Sequence, residues 1–218
     1  MSETRFLSLS TFPGLTAFFT AAGRDIGELK TEIVRKSIHF IIALSPSMAA
    51  INRPFTVVIL MIGTLGYTFM EYLRLSGIKV PVISSITSMA SRSRDTGHFV
   101  MGPVTLGLGA LLALLLYPSP VAAISIYALA FGDGFASLVG KFFGKWRPAF
   151  LCGKSVEGSM ACFAAVLISA YAVSGSMYIA FVAAFTAMIV EAMPLEDYDN
   201  LAIPVTVGLV VQLASSAW

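Results

Sequence analysis

The sequence predicts an all-α protein, a polytopic transmembrane helical bundle of about seven spans. Three observations carry that expectation. Hydrophobic residues fill 57% of the 218 positions and charged residues 12%, whereas a soluble domain carries about 25% charged residues. The apolar residues fall into stretches near the length of about 20 that crosses a hydrocarbon core about 30 Å thick. The ionisable residues gather at one end of those stretches.

In chain order, an N-terminal arm (residues 1–29) precedes a transmembrane domain (30–218). The arm's apolar stretch, 6–22, is broken at Pro13-Gly14 and reads as an interfacial helix. Arg5 before it and Ala21-Ala22-Gly23 after it keep a cleaved signal peptide open, and an eighth span is the other alternative. Spans are expected at 36–52, 54–72, 99–117, 120–141, 156–174, 176–193 and 200–217. Asn52-Arg53-Pro54, Pro118-Ser119-Pro120 and Ser174-Gly175-Ser176 read as tight turns, and the connections 74–98, 142–155 and 194–200 are longer.

With seven spans, the arm and the longer connections share one side, which holds thirteen of the fourteen Lys and Arg residues; Arg53 stands opposite. The positive-inside rule then sets the N-terminus in the cytoplasm and the C-terminus outside. The acids and both histidines, His39 and His98, follow the bases. The rule does not ask this of them, so the cytoplasmic face is expected to do chemistry. A net charge of +2 gives no reason for nucleic acid as a partner. Cys152 and Cys162 form neither a disulfide framework nor a CxxC pattern.

Asp133 is the sharpest single feature. It sits within an apolar stretch, roughly 12 Å from the helix's charged end. A carboxylate there costs at least about 2–3 kcal/mol unless it meets a polar cavity, a cation or a partner base. Gly132 and Gly134 flank it and permit close approach by a ligand or another backbone; pairing with a Lys or Arg for packing alone is the plainer alternative. Glu191 ends the sixth span and Asp199-Asn200 opens the seventh, where Asp199 could simply cap the helix. The three carboxylates fall near one depth, and oxygen ligands of this kind suit Mg²⁺ completed by substrate phosphates.

Gly153-Lys154-Ser155-Val156-Glu157-Gly158-Ser159 opens the fifth span. Its backbone N–H groups can bind an anion at a helix N-terminus, and Lys154 adds a point charge. It is not a Walker A loop, since Pro148 stands where that loop needs its first glycine; a capped helix start is the alternative. In Glu32–His39, Arg35 and His39 share one face, and Glu32 and Lys36 another. Arg35 and Lys36 could snorkel to headgroups, whereas His39 lies a turn deeper. Gly134, Gly140 and Gly144 read mainly as helix-packing positions.

Taken in order, these pieces resemble the polyprenol kinase family, which spans dolichol kinases, phytol kinases and the CTP-dependent diacylglycerol kinase of yeast. The matching pieces are Arg35-Lys36-Ser37-Ile38-His39 and Phe131-Gly132-Asp133-Gly134-Phe135-Ala136 with Gly140 and Gly144. They continue with Gly153–Ser159, Glu191-Ala192-Met193-Pro194, and Asp199-Asn200-Leu201 with Pro204. The resemblance covers about residues 30–210, and in size the chain is similar to the phytol-kinase-like members.

It implies transfer of a phosphoryl group from CTP, or a related nucleotide, to the hydroxyl of an isoprenoid alcohol, a polyprenol or diacylglycerol at the cytoplasmic face. On that resemblance, Asp133, Glu191 and Asp199 would hold Mg²⁺ or another divalent cation. Asp133, Lys154, His39 and Glu157 would be catalytic, with the base open between His39 and Asp133. The nucleotide would meet Arg35, Lys36, Gly132, Gly134, Gly153, Ser155, Gly158, Ser159 and Asn200. A phosphatidate cytidylyltransferase is the alternative enzyme, although the long signature that ends those enzymes is missing. A transporter is the alternative from another class, although no internal repeat is visible. Partners beyond substrate and membrane lipids, including a second copy in a homo-oligomer, stay open.

Overall fold

The structure is a computed structural model and describes residues 31–78 and 97–216. The N-terminal arm, and Lys79, Arg92, Arg94 and Asp95 of the first long connection, lie outside the described residues. The described residues are helical, with no strand among them: α1 (31–42), α2 (Ser45–Leu75), α3 (Gly102–Leu116), α4 (Ser119–Phe142), α5 (Val156–Ser174), α6 (Met177–Ala192) and α7 (Asp199–Ser216). A 3₁₀ turn, Ala149–Leu151, interrupts the α4–α5 connection.

The first expected span, 36–52, is not one rod. Turn residues Ala43 and Leu44 separate α1 from α2. Pro46 has no N–H to give the Ile42 carbonyl, and the Ser45 hydroxyl donates to it instead at 2.8 Å. The turn expected at Asn52-Arg53-Pro54 is a single extended residue, Asn52 (φ −150°, ψ 96°), inside α2. Its side-chain oxygen accepts the Phe55 N–H at 3.0 Å and restarts the helix, as an N-cap does. Arg53, the one base expected on the far face, donates to the Leu114 and Tyr117 carbonyls and closes the end of α3.

Among the described residues three helices, α2, α4 and α5, are long and apolar enough to cross a membrane, as in a membrane protein. The apolar α3 and α6 have 15 and 16 residues, about 22–24 Å at 1.5 Å per residue, short of the full hydrocarbon thickness. α4 is the centre of the bundle. In its most apolar window 67% of residues are buried inside the protein, against 28% for α5 and 11% for α2. It packs among α3, α5, α6 and α7.

Small residues set how closely the helices meet. A Cβ on Gly158 of α5 would stand 2.7 Å from the Ala136 carbonyl oxygen and 3.3 Å from Gly140 Cα, so the α4 and α5 backbones touch there. Gly134 gives its space to the Phe40 ring, and Gly132 to Val166 and Cys162. Ala180, Ala183, Ala184 and Ala187 form the fully buried stripe of α6.

Two further features bear on the site. α4 widens into a π-helical segment, Ala128–Asp133, that ends on the buried acid; such segments are frequent at functional sites. The foot of α2 is clamped to the start of α3 by the buried Glu71 carboxylate. It accepts Arg74 Nε at 2.8 Å and the Val100 N–H at 2.9 Å, while Arg74 reaches the His98 carbonyl at 3.0 Å.

Candidate active site

A cavity of about 450 Å³ opens at the charged end of the bundle. One face of α4 forms its wall: Asp133, Ala136, Ser137, Gly140 and Lys141 all line it, at the i, i+3, i+4, i+7, i+8 spacing of a single helical stripe. α1 adds Glu32 and Arg35. The α4–α5 connection adds Arg147, Cys152, Gly153, Lys154 and Ser155, and Gly158 follows from α5. Glu191, Pro194, Glu196 and Asp199 complete the rim from α6 to α7.

The lining alternates in sign. Arg35, Lys141, Arg147 and Lys154 supply positive charge, and Glu32, Asp133, Glu191, Glu196 and Asp199 negative. Glu32 bridges Arg35 at 2.7 Å and Lys141 at 3.1 Å, tying α1 to α4, and Arg35 continues to Asp197 at 3.6 Å. The Lys154 ammonium holds Glu191 twice, through its carboxylate at 3.1 Å and through its backbone oxygen. Ser159 stands behind, its hydroxyl 3.5 Å from the same carboxylate.

Asp133 is held from the side away from the cavity. Lys36 makes a buried ion pair with its Oδ2, and His39 Nε2 lies 3.0 Å from the same oxygen. Ser137 Oγ stands 3.5 Å from Oδ1. His39 is itself fixed, with Nδ1 3.1 Å from the Arg35 carbonyl and Nε2 3.0 Å from Asn200 Oδ1. The aspartate therefore has the cation partner that its depth demands, and it still reaches the cavity wall.

Of the residues singled out in the sequence, the structure gathers Arg35, Asp133, Gly153, Lys154, Ser155, Gly158, Glu191 and Asp199 around this cavity. It places Lys36, His39 and Asn200 in the buried layer behind Asp133, off the lining. Gly132 and Gly134 serve packing, and Ser159 sits off the lining. Glu157 is turned away altogether: its carboxylate accepts the Lys145 and Trp146 N–H groups at 3.0 and 3.2 Å and ties down the loop.

The backbone cradle expected at 155–159 differs as well. The Ser155 hydroxyl caps the Gly158 N–H at 3.1 Å, Val156 N–H donates to the Trp146 carbonyl at 3.0 Å, and Ser159 N–H donates to the Ser155 carbonyl at 3.1 Å. An anion site needs free donors. These three N–H groups of the expected cradle are engaged, and the positive side chains Arg35, Lys141, Arg147 and Lys154 line the cavity beside it.

In the sequence Lys141 and Arg147 read only as orientation charges. The i+4 steps from Asp133 to Ser137 to Lys141 were a legible signal for the first. Arg147, which reaches the Gly140 carbonyl at 2.7 Å and that of Gly153, folds back in a way no spacing shows.

For a divalent cation, no group of three or more His, Cys, Asp and Glu is arranged to hold a metal among the described residues. Asp133 and Glu191 each have a lysine partner, whereas the Asp199 carboxylate lines the cavity with no hydrogen bond or ion pair among the described residues. One or two carboxylates completed by phosphate oxygens and water fit Mg²⁺, and the donor set here is of that kind.

Comparison with known proteins adds a second line. The chain is 27% identical over 150 residues to a probable chloroplastic phytol kinase of Triticum aestivum, covering 61% of this chain and 49% of that protein. It is 29% identical over 168 residues to the phytol kinase of Synechocystis sp., covering 72% and 70%. It is also 29% identical over 182 residues to the dolichol kinase of Bos taurus, covering 74% and 34%. The similarity is to the polyprenol kinase family. The chain spans about half the length of the plant phytol kinases it matches. No family model matches it, and no solved structure does.

Proposed function

We propose that this chain is a membrane-embedded lipid-alcohol kinase that moves a phosphoryl group from CTP, or a related nucleotide, to the hydroxyl of an isoprenoid alcohol or diacylglycerol. The observation that carries the proposal is Asp133: an acid on the wall of a cavity lined by charges of both signs, held from behind by Lys36 and His39. Similarity to proteins named phytol kinase and dolichol kinase supports the same reaction class.

Phosphoryl transfer asks mainly for positioning and for charge at the transferring oxygens. In this reading Arg35, Lys141, Arg147 and Lys154 bind the polyphosphate. Asp133 orients the lipid hydroxyl and accepts its proton as the oxygen attacks the terminal phosphorus and the bond to the nucleoside diphosphate breaks. His39 is a poor base here, because Nε2 lies between two acceptors and Nδ1 against a carbonyl. It serves instead to hold Asp133. Asp199, with Asp133 or Glu191, would hold Mg²⁺, which neutralises phosphate charge when bound. The chain would cross the membrane about seven times with the N-terminus and the cavity on the cytoplasmic side, following its lysines and arginines.

The test is label transfer by the purified full chain in liposomes, using γ-labelled CTP or ATP with phytol, a longer polyprenol and diacylglycerol. Label in the lipid alcohol supports the proposal. No label in any lipid would sink it, and α-label appearing in lipid with phosphatidate would point to a cytidylyltransferase.

A further inference from the structure

The support behind Asp133 does not end at His39. Asn200 Oδ1 lies 3.0 Å from His39 Nε2, and its amide Nδ2 donates to Thr105 Oγ1 at 3.0 Å and to the Gly102 carbonyl at 3.4 Å. The Thr105 hydroxyl spends its proton on the backbone of its own helix, 3.0 Å from the Gly102 carbonyl and 3.2 Å from that of Met101. Its lone pair is what remains for Asn200. Thr105 and Asn200 are each 1% exposed, and neither lines the cavity.

The Asn200 amide has one consistent polarity. A backbone carbonyl only accepts, and the Thr105 oxygen has no second proton to give. The Asn200 NH₂ must therefore face α3, which turns the amide oxygen towards His39. His39 Nε2 then stands between two acceptors, Asn200 Oδ1 and Asp133 Oδ2, so it carries hydrogen and donates. Without the Thr105 hydroxyl, the amide would be held only by the weaker 3.4 Å contact to Gly102. It could then rotate its NH₂ towards the imidazole, and Asn200 would compete with Asp133 for His39 Nε2 instead of joining it in holding the hydrogen there.

We propose that Thr105 is a positioning residue of the active site, acting through Asn200 and His39 to fix the carboxylate of Asp133. The chain of bonds joins α3, α7, α1 and α4, so the placement of the aspartate depends on four helices. The consequence for turnover rests on the lipid-kinase reading; the consequence for His39 does not.

Thr105→Val keeps the shape and removes the hydroxyl, whereas Thr105→Ser keeps the hydroxyl. In liposome assays Thr105→Val is expected to lower kcat about tenfold, the worth of one buried hydrogen bond acting on the reacting group. KM for nucleotide should stay within about twofold, and Thr105→Ser should restore kcat. In a His39→Ala background the valine should cost nothing more, because coupled residues are non-additive. The second measurement needs no activity. The chain has two histidines, and His98→Asn leaves His39 as the lone ¹⁵N-histidine signal. That signal should show a protonated Nε2 in wild type and Thr105→Ser, and should shift in Thr105→Val. Should the valine variant not fold, Thr105→Ala carries the same expectations. An unmoved His39 signal in the folded variant would overturn the proposal, as would full kcat or an additive loss with His39→Ala. Wild-type protein without activity, combined with the shifted signal, would instead refute the kinase reading.

Discussion

Lys36 of α1 and Asp133 of α4 form an ion pair across 97 residues of sequence, with side chains 1% and 5% exposed. Two charges at that burial repay their desolvation only as a pair, and removing one leaves the other stranded. Lys36→Met is therefore expected to destabilise the protein by about 3–5 kcal/mol, read as a lower unfolding midpoint in detergent. Asp133→Asn keeps the shape but leaves the Lys36 ammonium without its counter-charge, so it too should lower the midpoint. The folded variant should lose lipid-kinase activity by at least about 100-fold. Full activity in folded Asp133→Asn would remove Asp133 from the mechanism.

Asp199 supplies the metal prediction. Its carboxylate lines the cavity without a hydrogen bond or ion pair among the described residues, so neutralising it breaks no contact of the resting fold. Asp199→Asn should leave the unfolding midpoint unchanged within about 0.5 kcal/mol. The Mg²⁺ concentration for half-maximal activity should rise at least about tenfold. An unchanged Mg²⁺ dependence would move the cation to other ligands.

The two cysteines offer a probe of occupancy. Cys152 is exposed and lines the cavity, whereas Cys162 is buried. A thiol reagent should modify one site per native chain and none in Cys152→Ala. CTP with Mg²⁺ should slow the modification at least about threefold, since a nucleotide in a cavity of about 450 Å³ covers its wall. Unprotected labelling would argue that nucleotide binds elsewhere.

Gly158 tests the packing that shapes the cavity. Its missing Cβ would meet backbone, the Ala136 carbonyl and Gly140 Cα, and backbone cannot step aside as a side-chain tip does. Gly158→Ala should cost about 1–3 kcal/mol. Gly63→Ala on α2, with nothing within 4 Å, should be close to neutral. Equal effects would mean that the α4–α5 contact is looser than drawn.

The helices were legible because their signals are local. Apolar stretches of membrane-crossing length and proline-bearing turns place α3, α4, α5, α6 and α7 within a few residues of where the structure has them. The break at Ala43-Leu44 was less visible, since Pro46 stands inside an apolar run and its effect falls on a carbonyl four residues earlier. The π-helical segment before Asp133 leaves no mark in composition.

At the site, the sequence puts Asp133, Glu191 and Asp199 near one depth, and the three line one cavity together with Lys154. What the chain could not disclose was the depth order. Nothing local says that Lys36, His39 and Asn200 stand behind the aspartate rather than beside it, or that Glu157 turns outward to hold the loop. Those outcomes depend on how α1 and α7 are rotated against α4, a property of the bundle as a whole.

The buried layer behind Asp133 also sets an order of events at the ribosome. Lys36 and His39 emerge on α1 before their partners Asp133 and Asn200, which follow 97 and 161 residues later. A nascent α1 cannot rest in lipid with an unmatched ammonium, so it must wait at the headgroup boundary or beside the insertion machinery until α4 and α7 arrive. Of the described helices, the first to be made is thus among the last to be seated, and the polar group that completes the site also closes the bundle.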